Sequence, residues 1–229
     1  MRGVAIFRGL GGAVVLAAVI IAVLPALAAG GAAPASLPCP PRGEALIAHD
    51  AQVRVYRPKV AAGVSGQRPV SACLVGRRTR MTLIEAPRPH TSPSFPGSLG
   101  TIVLSRTIVA YVVHRLTGVD TASSELFVAD VASRRVLREA RVGYSIDAGF
   151  LGSESLTALV ANPAGAVAWI DERVGPRSSG RQLFVYAAPP VGPAVRLDEG
   201  TAINPRSLAL SGGTLRWSDR GSIRTARMP

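Results

Sequence analysis

Apolar residues in this chain come in short runs, about four to eight long, broken by clusters of Gly, Pro, Asn and Ser, which is the spacing of strands and turns. The stretch from Leu156 to Asp198 displays it most fully. A first run, Leu156 to Ala161, stops at Asn162-Pro163-Ala164-Gly165, and a second, Ala166 to Ile170, carries Trp169 and leads into a charged pair. After a Gly/Ser/Arg loop come Leu183 to Tyr186, a Pro/Gly turn, and Ala194 to Leu197. The unit reads as a small four-stranded antiparallel sheet.

The same grammar recurs. Ala45 to Ile84 holds four runs, with strands predicted at Ala45-Ala48, Val53-Tyr56, Val70-Val75 and Met81-Ile84. A second unit opens at Thr101-Leu104, continues through Thr107-Val113 and Leu126-Asp130, and closes on Val136-Leu137, with a polar loop expected from His114 to Ser124. A last unit, Ser207 to Ala226, has three strands. Residues 86–100 hold four prolines and two glycines and read as a connector that no helix or central strand can cross. Laid over one another, the second strands end on Tyr56, Tyr111, Trp169 and Trp217, at intervals of 55, 58 and 48 residues. A large aromatic at one place in each unit is what stacked sheets require, because each must bury a face against its neighbour. These four aromatics are the predicted core of a repeat. The expected fold is all-β: four small antiparallel sheets in a propeller-like array, with a β-sandwich or an open β-repeat array as alternatives.

One segment adds a resemblance. Leu126-Phe127-Val128-Ala129-Asp130-Val131-Ala132-Ser133-Arg134-Arg135-Val136-Leu137, a strand, an Asp, a tight turn, a basic residue and a strand, resembles the blades of secreted and periplasmic β-propellers of the TolB-like kind. Leu183-Tyr186 with Val195-Arg196-Leu197 repeats the pattern without the Asp, since Ala187-Ala188-Pro189-Pro190 stands there, and the Gly-His…Trp-Asp blade signature does not occur. The resemblance implies a binding scaffold with ligands at one end of a central channel.

Composition changes the picture at the amino end. Arg2 and Arg8 precede an apolar run from Ala13 to Leu24 and then Ala26-Leu27-Ala28. A positive stretch, a short apolar stretch and an A-x-A site predict a signal peptide over residues 1–28, the run being too short to span a bilayer; retention as an anchor is the alternative. Residues 29–44 read as a Pro/Ala-rich linker, and residues 45–229 as the β-domain, with no transmembrane span once the signal is removed. Export places Cys39 and Cys73, the two cysteines of the chain, where a disulfide is expected.

Formal charge is +12, and taking away Arg2 and Arg8 leaves +10, a balance that favours anionic partners. Of the 26 basic residues only Lys59 is a lysine, and the arginines are scattered, which is how a GC-rich coding bias would distribute them. An exported chain also makes nucleic acid a poor partner. The partners expected are an anionic envelope polymer or another envelope protein.

Candidate chemistry is thin. His49, His90 and His114 have no His, Cys or carboxylate at metal-ligand spacing, so neither a metal nor another cofactor is expected. His114 with Asp120 is the nearest approach to a base and its orienting acid, and Leu151-Gly152-Ser153-Glu154-Ser155 does not fit a nucleophile elbow. Asp171, Glu172 and Asp219 each follow a second strand just after its Trp, where carboxylates of stacked units would gather at one rim. The sequence reading is therefore a non-enzymatic binding module of the cell envelope, secreted or otherwise extracytoplasmic; the alternative is an envelope hydrolase using those rim carboxylates. Cleavage after Ala28 is expected, so mass spectrometry of the exported protein should find an amino terminus at or near Ala29, whereas the intact chain in the membrane fraction would indicate an anchor.

Overall fold

The computed structural model describes residues 38–59, 69–85, 97–118, 121–146, 152–175 and 180–229. The signal-peptide prediction, residues 29–37 of the linker, most of the 86–100 connector, His90 and Asp120 lie outside them. Among the described residues fifteen strands follow one another, and no helix is long and apolar enough to cross a membrane. The first antiparallel sheet runs in chain order through β1 (Glu44–His49), β2 (Val53–Pro58), β3 (Val70–Leu74) and β4 (Arg80–Ile84). The second comprises β5 (Ser98–Ser105), β6 (Ile108–Leu116), β7 (Thr121–Asp130), β8 (Arg135–Ile146), β9 (Ser153–Ala161), β10 (Val167–Val174), β11 (Arg181–Ala188) and β12 (Val195–Gly200). The third is β13 (Ala209–Ser211), β14 (Thr214–Asp219) and β15 (Ser222–Arg227). None of the three closes on itself.

The chain is thus all-β, as expected, but with three sheets where four were expected. The four meanders are present; the second and third are fused by β8 and β9, which pair at only Tyr144↔Glu154 and Ser145↔Ser153. The strands are also longer than the apolar runs. His114 to Leu116 and Thr121 to Ser124 continue β6 and β7 into the expected loop, β5 begins at Ser98 inside the expected connector, and β8 extends to Ile146.

Alternation along the central strands explains the stacking. In β6, Val109, Tyr111 and Val113 point into a core shared with Val53, Val55, Ala72 and Leu74 of the first sheet, while Ile108, Ala110 and Val112 point into a second core with Leu159, Val167 and Trp169. In β10 the two faces divide likewise: Val167 and Trp169 belong to the second core, and Ala168 and Ile170 to a third with Leu215, Trp217 and Met228. A side-chain period of two puts every second residue on one face, so a strand apolar throughout must be covered on both sides. The aromatics are seated within this stack. Tyr111 stacks on Phe127 at 5.3 Å and donates its hydroxyl to the Leu83 carbonyl at 2.8 Å, tying β6 to β4; burial pushes its phenol pKa up. Trp169 stacks on Tyr186 at 5.3 Å, and Trp217 Nε1 donates to Asp198 Oδ2 at 2.7 Å.

Tyr56 is buried but lies on the other side of the first sheet, because Val53 and Val55 face the first core. That outer face is covered by the chain ahead of β1. Cys39 is disulfide-bonded to Cys73, with Cα atoms 5.8 Å apart, inside the range a disulfide tolerates. Arg54, Cys73 and Arg80 form one cross-strand row of β2, β3 and β4. The two arginines donate to carbonyls of the overlying segment, Arg54 Nη1 to Cys39 at 2.6 Å and Arg80 Nη2 to Pro38 at 3.1 Å. The described end of the linker therefore lies on the face of the first sheet. Replacing Trp169 or Trp217 with Ala is expected to destabilise the fold by about 3–5 kcal/mol, the usual cost of truncating a large buried aromatic, which equilibrium denaturation would measure.

Candidate functional site

Antiparallel succession sends the β5–β6 and β7–β8 turns to one end of the second sheet. There Thr107 accepts from the backbone N–H of Val131 at 2.9 Å, so the two turns lie side by side. Each holds an arginine in the left-handed region, Arg106 at φ 56° and Arg134 at φ 56°, with Arg135 next to the second. A side chain with a Cβ costs about 1–2 kcal/mol at such a φ, where Gly or Asn is the ordinary occupant. All three arginines are exposed, and among the described residues none has a carboxylate within ion-pair distance. Asp130, at the base of the turn, is spent internally. Burial raises its pKa, but hydrogen bonds from Ser133, Thr107 and the Ala132 and Ser133 backbone outweigh that and hold the carboxyl below its ordinary value. Arg138 is also engaged, donating to the carbonyls of Pro189 at 2.7 Å and of Gly192, which ties β8 to the β11–β12 turn.

The opposite end holds the sequence-predicted acids, and Asp171 lies apart from the other two. Asp171 and Glu172 point to opposite faces of β10, Asp171 on the Trp169 side; Asp219 follows Trp217 in the third sheet. Each is met by arginine. Glu172 pairs with Arg181 Nε at 2.6 Å, Asp219 with Arg224 at 3.5 Å, and Asp171 with Arg173 at 3.7 Å. Arg173 is bound more closely by Glu154, its partner in β9, and lies over the Phe184 ring at 4.5 Å. One guanidinium thus serves two carboxylates. Asp171 is the loser: it is 3 % exposed, its Oδ1 has no hydrogen-bond partner, and burial followed by the Glu154 charge pushes its pKa up to about 7 against the pull of Arg173.

The histidines part company. His49 is exposed at the end of β1. His114 Nδ1 lies 2.7 Å from Ser124 Oγ, its cross-strand partner, and its ring occupies space that a Cβ on Gly100 would fill at 2.5 Å. Gly143 is the next residue in that row, and a Cβ there would stand 2.8 Å from the Glu154 carbonyl, so only glycine lets β9 cross so close. Among the described residues no three His, Cys, Asp or Glu side chains come together as metal ligands. Ser153 begins β9 and belongs to no nucleophile elbow. The arginine turns escaped the sequence reading because which arginines share an end depends on strand register, and their backbone conformation is not written in composition.

The architecture defines a class: an all-β array of consecutively paired meanders stacked face to face, with one disulfide pinning the segment before β1 to the first sheet. No family model, no curated protein and no solved structure matches the chain.

Because the raised Asp171 pKa means that the folded state holds a proton the unfolded state, near 3.8, has already lost, stability is fully present below about pH 4 and falls as pH rises towards 7. Between pH 5 and 8 the wild-type melting temperature should drop by several degrees, and Asp171→Asn should flatten that slope; parallel profiles for the two proteins would show that Asp171 is ionised in the fold.

Proposed function

We propose that the chain is an extracytoplasmic, non-enzymatic binding module of the cell envelope that holds an anionic partner on the arginine turns of its second meander. The observation that carries this reading is the pair Arg106 and Arg134, exposed, unmatched by carboxylate among the described residues and held in a backbone conformation that arginine disfavours. A coding bias supplies arginines without regard to conformation; a stability cost at two adjacent turns is the mark of side chains retained for what they contact. The Cys39–Cys73 disulfide supports an oxidising location. The propeller-like arrangement belongs to the same proposal. It draws support from cores lying between consecutive meanders, with Tyr111, Trp169 and Trp217 each on the second strand of its meander and facing the preceding one. The hydrolase alternative draws on the proton held by Asp171, but that carboxyl is enclosed between β-meanders, and Glu172 and Asp219 lie on the third-core side, each paired with an arginine.

Arg106→Gly and Arg134→Gly should each stabilise the fold by about 0.5–1 kcal/mol, since glycine removes the left-handed strain at some entropic cost. Combined with Arg135→Gln they should weaken binding to polyglutamate or polyphosphate by about tenfold or more at low salt, with the wild-type affinity falling as salt rises. Unchanged binding by the triple variant would remove the arginine turns from the site.

A further inference from the structure

The third sheet stops one strand short. In the first three meanders the third strand (β3, β7 or β11) is flanked on both sides and mostly buried, whereas β15, the third strand of the last, pairs only with β14 among the described residues, and Ser222 to Thr225 and Arg227 are exposed. Its hairpin turns through Arg220 and Gly221, at φ 50° and 77°, a two-residue turn whose twist suits paired strands.

The ladder shows which groups face out. Met228 N–H donates to the Gly213 carbonyl at 2.9 Å, so Gly213 and Met228 form a hydrogen-bonded pair. Alternation then puts Leu215/Ala226, Trp217/Arg224 and Asp219/Ser222 in the same class. The N–H and C=O groups of Ile223, Thr225 and Arg227 therefore point away from β14, along an edge that no described strand pairs. Around this edge stand Arg216, Arg220, Arg224 and Arg227; among the described residues only Arg224 has a carboxylate, Asp219. Ile223 leaves 63 % of its surface exposed on the outer face.

We propose that this edge is a docking site for an extended acidic segment of another protein, which adds as a fourth strand antiparallel or parallel to β15. Main-chain hydrogen bonds to Ile223, Thr225 and Arg227 would supply affinity, and the arginines would supply selection. The same arginines count against a second copy as occupant, because β15 against β15 would set like charges across the seam of a strongly basic chain. The site lies on a different sheet from the arginine turns and stands independently of them.

The test uses the full chain and a ten-residue peptide of alternating Glu and Val, with its Lys/Val counterpart as control. The acidic peptide should bind and slow amide exchange at Ile223, Thr225 and Arg227. Thr225→Pro removes an outward N–H while leaving the β14 ladder intact, so it should weaken binding about tenfold or more without lowering the melting temperature. Arg216→Glu with Arg227→Glu should do the same. No binding up to about 1 mM, equal binding of the Lys/Val peptide, or Thr225→Pro binding like wild type would overturn the proposal. So would a dimer through β15 in sedimentation, or protection of these three amides in the free chain, since either would name a different occupant.

Discussion

Over Ile108–Val113 of β6 and Val167–Asp171 of β10 neither face meets solvent, and everything else in the fold follows from that. Apolar on both faces, each can exist only between two other layers, so the second and third meanders must be interior and the first and last must be covers. The covers solve the opposite problem, that of a face with no neighbour. The first sheet keeps Tyr56 and Cys73 on its outer side and holds the segment around Cys39 against that side, bonded covalently to Cys73 and braced by Arg54 and Arg80. The last sheet instead turns Arg216, Thr225 and Arg227 outward and leaves them wet.

Charge follows the same geometry. Acids collect where the second strands end, and each finds an arginine, so a large formal positive charge is partly consumed in short-range pairs. The pair geometry decides who is satisfied: Arg173 sits against Glu154 and leaves Asp171 with half a partner. At the other end, Asp130 turns inward to its own loop, and the neighbouring guanidinium groups of Arg106, Arg134 and Arg135 are left to the solvent or a ligand.

Much of this was legible from the chain alone, and the exceptions have physical reasons. Strongly apolar runs such as Val109 to Val113 and Ala166 to Ile170 announced their strands, and two cysteines in a predicted export context announced their bond. β8 was missed beyond Leu137 because Arg138, Glu139 and Arg141 interrupt it, yet Arg138 is there as a clamp on Pro189 and Gly192. The fusion of the second and third meanders was invisible because it consists of two residue pairs flanked by polar residues. His114 was expected to open a loop, and only the extension of β6 and β7 brings Ser124 across from it, a partner that no spacing in the sequence marks. Candidate sites were least legible because they depend on register, and a one-residue shift would send every side chain to the other face.

The strand order carries a further consequence. Every strand pairs with the strand before or after it in the chain, and each core joins only consecutive meanders. Such a molecule behaves thermodynamically as a one-dimensional series of nearest-neighbour steps, in which an ordered layer is the template for the next. Loop-closure entropy stays small at every step, because no pairing waits for a distant segment. A chain delivered amino end first, from a ribosome or through a membrane pore, can therefore fold layer by layer as it emerges, each meander docking on the one already formed.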